Sequence, residues 1–129
     1  MKPRKILPII GIALLLALLA GCDKVVNVDS LMNGSSVTLE KGQQMVLKLA
    51  SNPTTGSDWE IVSLDPAVLK QVGEVEYKPD SMLIGSGGVD TWTFEAAGSG
   101  QMHLQLIYHR IWEKEIPPTD TFDLDIVVK

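Results

Sequence analysis

From Met45 to Val128 the apolar side chains fall, run after run, on every second position. Met45, Leu47 and Leu49 alternate with Val46 and Lys48, and Trp92 and Phe94 alternate with Thr91, Thr93 and Glu95. Met102, Leu104, Leu106 and Tyr108 alternate with His103, Gln105, Ile107 and His109, and Phe122, Leu124, Ile126 and Val128 with Asp123, Asp125 and Val127. Period two gives a strand one buried face and one wet face, the pattern of an antiparallel sheet. Weaker extended runs lie at 25–31, 36–40, 58–63 and 68–77. Turn signals separate the runs: Asn33-Gly34, Lys41-Gly42, Asp65-Pro66, Pro79-Asp80, Gly98-Ser99-Gly100 and Pro117-Pro118. No helical period of useful length occurs. The pattern predicts an all-β fold, an immunoglobulin-like antiparallel β-sandwich of seven to eight strands. Trp59 and Trp92 fall within strands and are expected in or near its core.

The first residues follow another pattern. Lys2, Arg4 and Lys5 precede an almost wholly apolar stretch, Ile6–Ala20, which ends in Leu19-Ala20-Gly21-Cys22. A basic start, an apolar run and small residues before a cleavage point describe an export signal. The run is shorter than the ~20 residues a spanning helix needs. Leu-Ala-Gly-Cys resembles a bacterial lipobox. That resemblance implies that residues 1–21 are removed, that Cys22 takes a diacylglyceryl group on sulfur, and that its new amine takes a fatty acyl chain such as palmitate. Two or more chains anchor a protein stably where one does not. An ordinary cleaved signal and an uncleaved anchor are the alternatives. Residues 22–129 are expected to form one sandwich domain tethered through Cys22. Asp23 resembles the retention signal of enteric-type lipoproteins, which implies the inner membrane, facing the periplasm.

Composition narrows the function classes. Cys22 is the only cysteine, so neither a disulfide nor a thiol nucleophile is expected in the folded part. All 16 acidic residues follow the expected cut, against 8 of the 11 basic ones, giving the mature chain a net charge of −8. A nucleic-acid partner, which needs basic patches, is not expected. The two histidines, His103 and His109, stand six residues apart on one strand, about 20 Å at ~3.3 Å per residue, too far to share a metal or a proton. No Gly-x-Ser-x-Gly elbow is present. The expectation is a monomeric protein that is not an enzyme and carries no metal or cofactor.

If each connection reverses the chain, the loops at 51–57, 79–88 and 110–118 share one end of the sandwich. They are also the oddest stretches in composition. In the first, Pro53 fixes its own φ and pushes Asn52 into extended geometry, Thr54 and Thr55 have stiff χ1 angles, and Gly56 permits positive φ. Such a turn loses little entropy when ordered and carries no long side chain, although Asn, Pro and Gly are also common in plain tight connections. The second holds Gly85-Ser86-Gly87-Gly88, a strip able to expose its backbone or to serve as a flexible hairpin tip. The third holds Arg110-Ile111-Trp112-Glu113, with an aromatic stranded among charges. Trp and Arg are the types most enriched at binding hot spots.

Together these stretches resemble the chagasin-type inhibitors of papain-like (clan CA) cysteine peptidases. That family carries Asn-Pro-Thr-Thr-Gly followed by an aromatic and a Trp, then Gly-x-Gly-Gly, then Arg-Pro-Trp/Phe. Here Asn52, Pro53, Thr54, Thr55 and Gly56 match the first, with Trp59 beyond. Gly85, Ser86, Gly87 and Gly88 match the second, and Arg110 and Trp112 match part of the third. Ser57-Asp58 stands in place of the aromatic, and Ile111 in place of the proline. The resemblance implies reversible, non-covalent inhibition by three loops that block the active-site cleft. A non-inhibitory envelope module that binds through the same loops is the alternative.

Overall fold

The computed structural model describes residues 24–129, so the expected signal, Cys22 and Asp23 lie outside the described residues. Nine strands follow in order: β1 (Val26–Val28), β2 (Ser35–Leu39), β3 (Gln44–Ser51), β4 (Asp58–Ser63), β5 (Leu69–Gln71), β6 (Glu76–Pro79), β7 (Gly88–Ala96), β8 (Gly100–His109) and β9 (Asp120–Val128). One sheet has the order β1-β3-β7-β5, with β6 also on β7, and the other the order β2-β9-β8-β4. The alternating apolar residues of β3, β7, β8 and β9 meet between the sheets. Leu47, Phe94, Leu104, Leu106, Phe122, Leu124 and Ile126 are almost or wholly sealed from solvent there. The all-β sandwich is as the pattern predicts.

The departures lie at the edges. The run 68–77 is two strands rather than one: Gly73, at φ 72°, breaks it, and both pieces then pair with β7. The run 25–31 is a short strand closed by a 3-10 turn at Ser30–Met32, where Asp29 accepts a hydrogen bond from the Leu31 amide at 2.9 Å. The count is therefore nine. Two edge pairings are also parallel, β1 with β3 and β2 with β9, while the remaining pairings are antiparallel. Trp92 is buried as expected. Trp59 is half-buried on the inward face of the edge strand β4 and packs against the core at the loop end, near the core as expected.

Register fixes where the loops stand. Ser51 pairs with Gly88 and Gly88 with Pro79, while Asp58 pairs with His109 and Tyr108 with Asp120. The stems of 52–57, 80–87 and 110–119 thus share one end. At the other end Lys41 N–H donates to the Lys129 carbonyl (3.3 Å), and Gln43 Nε2 donates to the Lys24 carbonyl (2.7 Å).

Candidate functional site: three interlocked loops

Asn52 organises the first loop. Its carboxamide oxygen accepts from the Thr54 amide (3.3 Å) and from the Thr54 hydroxyl. Pro53 opens a 3-10 turn, Pro53–Thr55, for which its fixed φ is already suited. The turn closes through Thr55 N–H to the Asn52 carbonyl (3.2 Å) and Gly56 N–H to the Pro53 carbonyl (3.0 Å). The Thr55 hydroxyl donates to the Asn52 carbonyl at 2.8 Å. Gly56 then takes φ 84°, a conformation that favours glycine. Pro53, Thr54 and Thr55 remain exposed at the tip. From below, the Tyr108 hydroxyl accepts the Asn52 amide at 2.9 Å. Trp59 lies against Tyr108, ring centres 5.1 Å apart, and donates its indole N–H to the Ala50 carbonyl at 2.9 Å.

The flanking loops are tied to this turn. Asn52 Nδ2 donates to the Gly85 carbonyl at 3.2 Å. A Cβ on Gly87 would stand 3.2 Å from the Ser51 carbonyl, and one on Gly88 would collide with the Lys78 carbonyl and the Tyr77 hydroxyl. Two of the strip's glycines therefore serve close packing inside the molecule. The Gly87 carbonyl is occupied by Asp80 N–H (2.9 Å), and Ser86 N–H donates to the Leu83 carbonyl (3.2 Å). On the other flank Arg110 Nε donates to the Thr55 carbonyl at 3.2 Å, and its guanidinium also pairs with Glu113 at 3.2 Å. The Trp112 ring lies over Gly56, where a Cβ would come within 2.7 Å of Cη2. Trp112 nevertheless keeps 68% of its surface exposed. It is neither a free arm nor folded back over the rim.

All eleven loop residues singled out in the sequence thus stand at one end, in contact through Asn52 and Gly56. Sequence reasoning missed the apolar tip beside the glycine strip. Met82 and Ile84 are fully exposed and Leu83 78% exposed, and Ile111 and Ile116 are exposed on the third loop. Three consecutive large apolar residues between Ser81 and Gly85 were the available signal, since a strand connection seldom exposes such a run. Tyr108 was missed because its position in an alternating strand reads as core.

Chemically the site has little to work with. Among the described residues no group of His, Cys, Asp or Glu is placed to hold a metal ion. His103 bonds Asp123 (2.7 Å) and Asp125 (2.8 Å), while His109 bonds Glu60 (2.9 Å). Ser57, in place of the aromatic, is buried and borders an open hollow of about 180 Å³ with His109, Arg110, Glu113 and Thr119. Beneath the first loop Asp90 is buried. Burial, and after it the Asp58 carboxylate, push its pKa above the ordinary carboxylate value. Ser51 Oγ works in the other direction but closes no hydrogen bond of ordinary geometry.

The profile of the chagasin family peptidase inhibitors (family I42) matches residues 38–126, from β2 into β9 and across all three loops. The chain belongs to the chagasin family. Its residues are 32% identical to Trypanosoma cruzi chagasin over 84 positions, 62% of this chain and 76% of that one. The family's fold is also shared with the cysteine protease inhibitor EhICP2 of Entamoeba histolytica (TM-score 0.73, 16% identity, 83% of this chain and 97% of that one). A third match is PbICP-C, solved in complex with falcipain-2 (TM-score 0.57, 13% identity, 84% of this chain and 100% of that one). As a chagasin-family member the protein is a peptidase inhibitor and not an enzyme.

Proposed function

We propose that the protein inhibits papain-like cysteine peptidases reversibly and without a covalent step. In this reading Asn52–Gly56 enters the active-site cleft, and Gly85–Gly88 and Arg110–Trp112 grip its two sides. The observation that carries the reading is the double fastening of the first loop, to Gly85 on one flank and to Arg110 and Trp112 on the other. A loop held from both sides has little entropy left to lose on binding. Its tip is a closed 3-10 turn and not an extended strand, so Thr54 and Thr55 cover a catalytic Cys–His pair without presenting a substrate-like carbonyl. Trp112 and the Met82–Ile84 tip supply exposed apolar surface on either side. On the glycine strip, the Gly85 amide, the Ser86 carbonyl and the Gly87 amide are candidates for pairing with the enzyme's backbone, the Gly85 and Gly87 carbonyls and the Ser86 amide being occupied within the molecule. An interface of standard inhibitor size, roughly 800 Å² per partner, suits these three loops.

Two similar proteins support the choice of enzyme class: EhICP2 is a cysteine protease inhibitor, and PbICP-C was solved with falcipain-2. The test is steady-state inhibition of papain by the wild type and by Trp112→Ala. The expected result is competitive inhibition that dilution reverses, weakened at least tenfold by the substitution. Absence of inhibition at micromolar protein contradicts the proposal, whereas an unaffected Trp112→Ala contradicts only the role given to Trp112.

The location proposed is the bacterial envelope, with lipidated Cys22 as the anchor and Asp23 directing retention in the inner membrane. The mass of the membrane-extracted chain tests it: removal of residues 1–21 and addition of acyl groups are expected.

A further inference from the structure

We infer that the anchored protein stands with its inhibitory loops pointing away from the bilayer, so that it captures a soluble peptidase while remaining on the membrane. The inference rests on the lipid-anchor reading of Cys22. The direction of β1 carries it. β1 pairs parallel with β3, which runs into the first loop, so β1 begins at the opposite end. Lys24, just before β1, is held at that end by the 2.7 Å bond from Gln43 to its carbonyl. Only Asp23 separates Lys24 from Cys22, and two Cα–Cα steps reach at most about 7.6 Å. The lower rim of the sandwich is therefore confined to the headgroup region. β8 runs from that rim to the third loop, and its ten residues span about 33 Å at ~3.3 Å each.

Charge disfavours a pose lying flat on the β2-β9-β8-β4 face. Lys24, Lys41, Lys70 and Lys129 sit at the tethered end, beside Glu40, Asp65 and Glu95. The loop end carries Asp58, Asp80, Glu113, Glu115 and Asp120 against Lys78, Arg110 and Lys114, and the outer face of the β2-β9-β8-β4 sheet carries Glu60, Asp123 and Asp125. An anionic leaflet attracts lysines within a Debye length and repels the acidic surfaces. A cleft buried against the same bilayer would be out of the loops' reach, whereas a peptidase in the aqueous phase is not.

The test uses the full lipidated chain in phosphatidylethanolamine–phosphatidylglycerol vesicles that contain a headgroup energy acceptor. Ser86→Cys and Ser99→Cys each carry a donor dye, one at each end of the sandwich. Strong quenching at position 99 and weak quenching at position 86 are expected. The unlabelled chain should inhibit soluble papain equally well in vesicles and in detergent micelles. Equal quenching at the two positions, stronger quenching at 86, or inhibition lost on transfer to vesicles overturns the inference. A chain whose mass shows no acyl group also overturns it. That result is told apart from a failure of the loop reading, because papain inhibition in micelles would persist.

Discussion

Gly56 has no room for a side chain. Its φ of 84° would cost an L-residue about 1–2 kcal/mol, and Trp112 fills the space its Cβ would take. Gly56→Ala is therefore predicted to weaken papain inhibition by about tenfold or more, roughly 1.4 kcal/mol or above. Trp112→Ala should also weaken it. The double variant should lose less than the sum, since removing the ring relieves the clash. A fully additive double variant would mean that the two residues do not share one constraint. Asp90 gives a second prediction. Its carboxyl pKa is raised by burial and then by Asp58, so the folded state holds this proton more tightly than the unfolded state does. This group's contribution therefore declines as pH rises from the unfolded value of 3.8 through the folded one. Asp90→Asn should gain stability near neutrality and lose that slope, as read from urea midpoints between pH 4 and 7.5. The residues of Asn52–Gly56 were legible in the sequence because Pro, Gly and β-branched residues act on their own backbone. Tyr108 and the fit of Trp112 over Gly56 were not, because they exist only once distant strands have met.

The central strands were legible because β3, β7, β8 and β9 have one face in the core and alternate strictly. The edge elements were not. β5 and β6 are three and four residues long, and Glu76–Pro79 is exposed throughout, so no alternation marks them. The parallel pairings, β1 with β3 in one sheet and β2 with β9 in the other, depend on where the chain passes between the sheets, which no local pattern encodes. On the outer face of β8 and β9, both ring nitrogens of His103 meet carboxylates, an arrangement that favours the doubly protonated ring, in which both nitrogens donate. Hydrogen bonds to Asp125 and then Asp123 raise its pKa above 6.5. The stabilisation is fully present below that unfolded value and is lost as pH rises through the folded one. The wild type should therefore lose more stability than His103→Gln between pH 5.5 and 8.5 in thermal melts, by a small margin because the pair is solvent-screened. Identical pH profiles would mean that the ion pairs are absent in solution. Papain inhibition should be unchanged in this variant, since His103 lies well away from the loops.

Residues 24–129 form a sandwich that presents three loops at one end and begins, at Lys24, at the other. Strand direction, counted from the sequence, was enough to bring the loops together. Nothing in the sequence could show that Asn52 and Gly56 are the points where the flanking loops fasten, since those contacts span 33 to 56 residues along the chain. That fastening makes the three loops one surface, and the central claim is that this surface closes a papain-like active site. Titrating papain of known active-site concentration with the protein tests it most directly. The predicted result is competitive inhibition with one-to-one stoichiometry, full recovery of activity on dilution, and an inhibitor recovered with its Thr54–Thr55 bond intact. Full papain activity at micromolar inhibitor, or inhibition that fades as the first loop is cleaved, would contradict the account.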